Sequence, residues 1–529
     1  MKKTHLLLFL LFVYFALNPC TRDIFSQSQF LLVVGDSSNI GEARCIIQTS
    51  DGGYIAAGEN DTFGDMYIVK LNSAGQFQWS RTIGRAGGIA LSVVQTTDGG
   101  YAVSGLGGLS GGSVYGPFIV KLTTAGNVEW SRVLVGDLLG QAYSIVQTAD
   151  GGYITANSTF DGGGTFRLTI VKLNNVGVLQ WSKKIGSSYG RCIKQTTDRG
   201  YIVAGATWSS DVDMFVLKLD SNGSLQWAKT IGGPGDDFAY SVVQTIDGGY
   251  AVAGYTRSFG NWSKMYIAKL NSSGALQWTK VIAVDGDLAY SIVQTSDGGY
   301  AVAGATRGGG GMLIIKLSSD GSLQWSRVVD VSSTDNYARS IIQTSDGGFV
   351  AAGYGGIVGT RGMFIVKLDN NGNTCGNIVS HSISVDSGGI LNNHNPSITD
   401  FSIIDTLVTP QTGSLGYVTP LCVIGIQSIS NEIPATYKLY QNYPNPFNPA
   451  TKIKFEISGT LVAQTFLSVY DMLGREVDIL VNTDLQPGTY EVDWDGSNYA
   501  SGVYYYKLSV LNSGSSAKYQ ETKRMLLIK

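Results

Sequence analysis

Gln48–Tyr54 reads QTSDGGY, and the text returns as QTTDGGY from Gln95, QTADGGY from Gln147, QTTDRGY from Gln195, QTIDGGY from Gln244, QTSDGGY from Gln294 and QTSDGGF from Gln343. Seven copies at a spacing of roughly 50 residues mark a tandem array of one supersecondary unit. In the DGG turn the Asp accepts local backbone hydrogen bonds and a Gly takes positive φ, which a tight hairpin demands. Outward from the turn lie an apolar stretch such as YAVAG at Tyr250–Gly254, a variable Gly-rich stretch, and a strand ending in Lys-Leu, from Lys70-Leu71 through Lys367-Leu368. A small turn such as NSAG at Asn72–Gly75 then leads to a Gln-Trp strand such as LQWAKTIG at Leu225–Gly232. Each period is therefore two successive hairpins, four short strands in one antiparallel sheet. Such a unit, apolar on both faces, matches a propeller blade. Parallel β-helices have shorter coils, and helical solenoids need segments of helix period.

The two ends of the array fit each other. Trp79, Trp130, Trp181, Trp227, Trp278 and Trp325 mark the fourth strand of six repeats, whereas the seventh runs NGNTCGN after its Lys-Leu and has no such Trp. Ahead of the first repeat stands SQFLLVVG, which aligns with the Gln-Trp strand and puts Phe30 at the Trp position. An N-terminal strand that completes the last blade removes the exposed edges of an open array, so the expected fold is a closed seven-bladed β-propeller. The recurring Trp is expected to pack between blades, each burying about 150–250 Å².

At 529 residues the chain exceeds one hydrophobic core, and its 15% charged residues and 69 Gly point to an all-β protein of strands and tight turns. A formal charge of -3 without a basic run offers no electrostatic footprint for nucleic acid. Lys2 and Lys3 followed by the apolar run Leu6–Leu17 read as a signal peptide over residues 1–26. Cys20 as an acylated lipoprotein cysteine is the less favoured reading, because Pro19 precedes it. The mature chain is expected to have no transmembrane segment. The division that follows is 27–373 for the propeller, 374–435 for a linker rich in Ser, Thr and Asn, and 436–529 for a small C-terminal β-sandwich of immunoglobulin-like kind. Cys45 and Cys192 occupy equivalent apolar places in two repeats and read as small core residues. Cys375 and Cys422 flank the linker, and a disulfide between them is left open.

The C-terminal text is YKLYQNYPNPFNPATKIKFEIS from Tyr437, then FLSVYDMLGREVDIL, GTYEVDWDGSNYASGVYYYKLSV and KRMLLIK. It resembles the type A C-terminal sorting domain of the type IX secretion system of Bacteroidetes-like bacteria, on NYPNPFNP, VYDMLGREV, WDG, GVYYYKL and the terminal basic-apolar tail. The resemblance implies export across the inner membrane, passage across the outer membrane through the type IX secretion machinery, and a secreted or cell-surface protein. The repeats resemble the DGG-type propeller repeats of exported bacterial proteins, which implies a fold and no activity.

No catalytic constellation emerges. The three His are His5, His381 and His394, all outside the repeats, so His-dependent nucleophilic catalysis and His metal sites are not expected there. Gly runs lack the Lys of a phosphate loop. Neither a cofactor nor a metal is expected, and the chain is read as non-catalytic. Asp236, Asp237, Asp285, Asp287 and Asp335 recur in the loops between repeats and read as turn residues, against the alternative of a two-carboxylate glycosidase. The only Glu of the repeats are Glu42, Glu59 and Glu129. What differs between repeats is the aromatic content of the loop between second and third strands: Phe63, Tyr115, Phe160, Trp208, Phe259 and Trp262. Of these, Trp208, Trp262, Phe160, Phe259 and Tyr115 are the candidate ligand-binding residues, set on one rim with a glycan or a protein as ligand. The expected function is a binding or adhesion module. An exported polysaccharide-acting enzyme and a purely structural envelope protein are the alternatives.

Overall fold

The computed structural model describes residues 29–34, the strands between residues 378 and 430 and, apart from short stretches between strands, residues 41–374 and 433–529. The signal-peptide reading of residues 1–26 lies outside the described residues, as do Phe63, Asp285, Asp287, Asp335 and Cys375, and with Cys375 the disulfide to Cys422. Every described element is a strand. The fourth repeat shows the unit: Ser188–Gln195, Tyr201–Trp208, Val212–Leu219 and Leu225–Gly232 pair in chain order as antiparallel neighbours. Six repeats are built this way, and the first three strands of the seventh follow the same order.

The DGG hairpin is closed by the Thr two residues before the Asp. Thr49 N donates to Gly53 O at 2.8 Å and Gly52 N to Thr49 O at 2.9 Å, with Gly52 at φ 78°. The fourth repeat has Arg199 at that place, at φ 65°, the one described non-Gly residue with positive φ. A Cβ in that region is costly, so Arg199 sits where the turn favours Gly.

Both faces of each sheet are used. Ile202, Ala204, Met214 and Val216 pack forward on Val252 and Tyr266 of the fifth repeat. Val203, Phe215 and Leu217 pack backward on Ile154, Ala156 and Ile170 of the third. A strand buried on two faces cannot alternate with polar residues, which accounts for runs such as FVLKL.

The last and first repeats are joined as neighbours are. Gln29–Val34 pairs antiparallel with Thr360–Leu368, with Phe30 opposite Lys367 as Trp79 is opposite Lys70. Each Trp packs on the hairpin aromatic of the next repeat, Phe349 for Trp325 and a Tyr for the others, as in Trp227–Tyr250 at 5.6 Å and Trp278–Tyr300 at 5.7 Å between ring centres. Phe30 completes the series on Tyr54 at 5.6 Å. The approach is close enough that a Cβ added to Gly274 would lie 2.9 Å from the Trp227 ring. Hydrogen bonds follow the same order: Ser50 N donates to Gln95 Oε1 at 2.8 Å, the pattern repeats along the array, and Ser345 N donates to Gln48 Oε1 at 2.9 Å. The first strands of successive repeats are in contact, and Gly41–Gln48 also touches Tyr337–Gln343.

Between residues 378 and 424 the backbone adds a fifth strand to each sheet. Ile378–Val379 joins the sixth repeat, Val385–Asp386 the fifth, Ile390–Asn393 the fourth, Ile398–Asp400 the third, Ile404–Leu407 the second and Thr412–Gly413 the first. Val418–Ile424 then pairs with Gln29–Val34, so the N-terminal strand lies between Thr360–Leu368 and Val418–Ile424. The chain thus revisits the sheets in reverse order and covers the edge that each fourth strand would leave open.

The C-terminal part has two four-stranded sheets, one with Ala450–Ile457 and Gly488–Asp495 at its centre and one with Ala463–Tyr470 and Gly502–Leu511 at its centre. They share one core around Trp494, Phe447, Phe455, Leu467 and Tyr506. The Trp494 indole N–H donates to Asp478 Oδ2 at 3.0 Å, so its one polar atom is satisfied.

Candidate functional site

The rim aromatics divide into groups. Phe160 lies 5.2 Å from Phe166, which lies 4.3 Å from Tyr189. Phe259 is partly buried against the core and 6.0 Å from Tyr266. Trp262 is 49% exposed, as a ligand-stacking residue would be. Trp208 ends the strand Tyr201–Trp208 and Tyr115 begins Tyr115–Leu122, while their side chains lie outside the described residues. The acids near these loops hold backbone together. Asp237 is buried, and its Oδ2 accepts from Gly233 N at 2.9 Å and Ser258 Oγ at 2.8 Å. Asp236 pairs with Arg257 at 3.3 Å.

The Asp of the DGG turn does more than cap it. Each Lys of a Lys-Leu pair is buried and reaches back to that Asp: Lys218 Nζ donates to Asp198 Oδ2 at 2.8 Å, to Oδ1 at 3.1 Å and to Leu219 O at 3.0 Å. Lys172, Lys269 and Lys316 make the same pair with Asp150, Asp247 and Asp297 and add a Gln acceptor, as in Lys172 to Gln180 Oε1 at 2.9 Å. In the second repeat Lys121 reaches Asp98 and Glu129, which accounts for one of the three Glu. Burial pushes these carboxyls up, but hydrogen bonds from the ammonium, the turn Thr and the turn amide outweigh it. Asp98, Asp150, Asp198, Asp247 and Asp297 are brought down to about 2. The sequence reading assigned the Asp to the turn and missed its cation; the sevenfold recurrence of Lys before Leu was the signal available.

A second set missed by sequence lies on the first strands. Each carries a bulge four residues before its Gln, as between Ala43 and Cys45 or between Gly190 and Cys192. A bulge leaves an amide without its ladder partner and turns one side chain out of the sheet. Ser side chains of the preceding repeat accept from amides two residues past the bulge: Ser340 Oγ from Ile46 N at 3.2 Å and Ser144 Oγ from Ile193 N at 3.2 Å. Cys192, buried as expected, donates its thiol to Val242 O at 3.7 Å, and Cys45 is only partly buried and does the same to Val93 O at 3.8 Å. The bulged residues are Arg44, Leu91, Tyr143, Arg191, Tyr240, Tyr290 and Arg339, all half-buried. They vary at a place in the repeat where the surrounding text does not.

These side chains meet. Arg339 lies 4.1 Å over the Tyr290 ring and 4.7 Å over Tyr337, and its Nε donates to Glu42 at 2.5 Å. Arg44 pairs with Glu42 at 2.9 Å and Glu59 at 2.7 Å. Tyr240 stands 5.1 Å from Tyr290. Arg191 lies 4.1 Å over Tyr143, 5.5 Å from Tyr240 and 5.9 Å from Tyr189, and its buried Nε has no hydrogen-bond partner. Burial pushes the Tyr189 hydroxyl up to about 12, so it remains a proton donor. Burial likewise raises the Cys45 thiol, opposed by its hydrogen bond to Val93 O and by the charge of Lys194. The arrangement offers guanidinium and phenol groups to a ligand. Among the described residues no group of three or more His, Cys, Asp or Glu is placed to hold a metal.

No curated protein matches the chain. Among solved structures, Sqt1 from Chaetomium thermophilum is 11% identical with a TM-score of 0.37, covering 66% of this chain and 86% of its own. The extracellular domain of a hybrid two component system from B. thetaiotaomicron is 9% identical with a TM-score of 0.21, covering 92% and 74%. A tetra-tandem repeat from the extending region of a large adhesion protein is 11% identical with a TM-score of 0.15, covering 92% and 98%. Likenesses of this size decide neither fold nor function. Among the described residues no helix is long and apolar enough to cross a membrane. Residues 441–521 match the family described as Secretion system C-terminal sorting domain, over the Pro-rich turn and the strands of the two-sheet unit. The C-terminal part of this chain is a type IX sorting domain, handled by the type IX secretion machinery, and the protein that carries it is secreted or displayed at the cell surface.

Proposed function

We propose that the chain is an exported, non-catalytic binding or adhesion module. Residues 1–26 serve as signal peptide, residues 27–373 form a closed seven-bladed β-propeller, residues 374–435 link it to the C-terminal part, and residues 436–529 address it for secretion. Support for closure comes from the Gln clasp between Ser345 and Gln48 and from Phe30 on Tyr54. In a closed propeller the bulged side chains line the central channel, and Trp208, Trp262, Phe160, Phe259 and Tyr115 stand on a rim. The observation that carries the binding reading is the Arg and Tyr lining of the first strands: half-buried guanidinium and phenol groups suit recognition of polar ligands. The described acids near it are held in ion pairs, as Glu42 is by Arg44 and Arg339, which favours binding over acid-base chemistry.

The test is a glycan and surface-polysaccharide array probed with the purified chain, beside Trp208→Ala/Trp262→Ala and Tyr143→Ala/Tyr240→Ala. Binding lost in the first variant places the ligand on the rim, and binding lost in the second places it on the channel lining. A folded protein that binds neither glycan nor extracellular protein would leave the structural role and remove the binding one.

A further inference from the structure

The three bulged arginines differ in one respect that the binding reading alone does not use. Arg44 and Arg339 share Glu42, and Arg44 has Glu59 as well, so two cations meet two carboxylates. Arg191 forms no ion pair with a described carboxylate, and neither does Lys194, three residues along the same strand and exposed. A half-buried guanidinium without a carboxylate partner is expensive to keep, because burial penalises the charge and the tyrosine rings around it offset only part of that cost. The Tyr143 and Tyr240 rings hold the guanidinium, and its buried Nε–H has no hydrogen-bond partner. A planar pair of N–H donors matches a carboxylate bidentately. The flanking Tyr143, Tyr189 and Tyr240 supply hydroxyls that hydrogen-bond in both directions and ring faces that pack against sugar C–H groups.

We infer that the Arg191 guanidinium, set among Tyr143, Tyr189 and Tyr240, anchors an acidic polysaccharide through a uronic acid carboxylate. The inference rests on the binding-module reading and adds the ligand class and the anchoring residue. A polysaccharide is favoured over an acidic peptide because the wall is phenolic, offering a hydroxyl-rich ligand as many partners as its carboxylate finds.

The experiment is calorimetric titration of the full chain with trigalacturonate, with the neutral maltotriose and with triglutamate, at low and at moderate salt. Trigalacturonate alone should bind, more weakly as salt rises. Arg191→Met should weaken it about 10- to 100-fold, Arg191→Lys by less, and the surface control Arg257→Met not at all. An unchanged thermal midpoint in Arg191→Lys guards against a folding defect. Equal binding by Arg191→Met, absence of trigalacturonate binding, or triglutamate binding as tight as trigalacturonate would each overturn the inference. A neutral glycan or a protein bound independently of Arg191 would overturn it while leaving the binding module intact. A chain that binds nothing on the array would remove both.

Discussion

Asp198→Asn isolates the charge of one Lys–Asp pair. Asn keeps a side-chain oxygen for the Gly200 amide, 3.0 Å away in the native turn, so the hairpin survives while the carboxylate is lost. Lys218 is 3% exposed and would retain two neutral acceptors, the Asn oxygen in the place of Oδ1 and Leu219 O at 3.0 Å, while losing the charge of the carboxylate. Breaking a fully buried pair costs about 3–5 kcal/mol, and an exposed pair contributes about 0–1 kcal/mol. Asp198 is 54% exposed, so the expected cost lies between these, about 2 kcal/mol. For a repeat region of this size that lowers its thermal midpoint by about 3 °C, followed by Trp fluorescence. Asp150→Asn should cost about half as much, because Lys172 keeps Gln180 as well as Leu173 O. The pH dependence carries the sign. Asp198 titrates in the fold at about 2, below its ordinary 3.8, so the pair stabilises above the ordinary value and the benefit is lost as pH falls between the two. The difference between wild type and Asp198→Asn should therefore shrink from pH 4 towards pH 2. An Asp198→Asn midpoint equal to wild type at neutral pH, or an Asp150→Asn cost that exceeds it, would refute the reasoning.

Arg199→Gly should raise stability by about 0.5–1 kcal/mol, since it relieves a positive φ at a small cost in chain entropy; chemical denaturation reads the change. Phe30→Ala should cost about 3–5 kcal/mol, because Phe30 is fully buried on Tyr54, and limited proteolysis should then release the N-terminal strand first. Ser340→Ala leaves the Ile46 amide without its acceptor, which should cost about 1–3 kcal/mol and speed hydrogen exchange at Ile46 above that at Ile193, whose partner Ser144 remains.

What was legible in the sequence was whatever is repeated locally. The DGG turns, the four strands per period and Phe30 at the Trp position follow from chemistry confined to a few neighbouring residues, and each stands in the structure as read. The fifth strands were not legible: two to four residues such as Ile378–Val379 or Thr412–Gly413 carry no period, and only the sheet edge they meet makes them strands. The Lys–Asp pairs join a turn to a strand end about twenty residues on, a matter of register rather than of text. Arg191 escaped because strict alternation gives no account of the bulge that turns it away from the sheet. Rim aromatics drew the eye as exceptions between repeats, and the exceptions inside the first strands, Arg44 to Arg339, answered to the same logic.

Gln29–Val34 is an apolar strand, fully buried from Phe30 onward, whose two partners Thr360–Leu368 and Val418–Ile424 come at the far end of the chain. During synthesis at ~5–20 residues per second it therefore waits some tens of seconds with both edges unpaired. An unpaired apolar strand is a template for another copy of itself. The seam that fastens the finished protein is thus its most dangerous segment while the chain is being made, and a cell that exports this protein must keep that one strand occupied until its partners arrive.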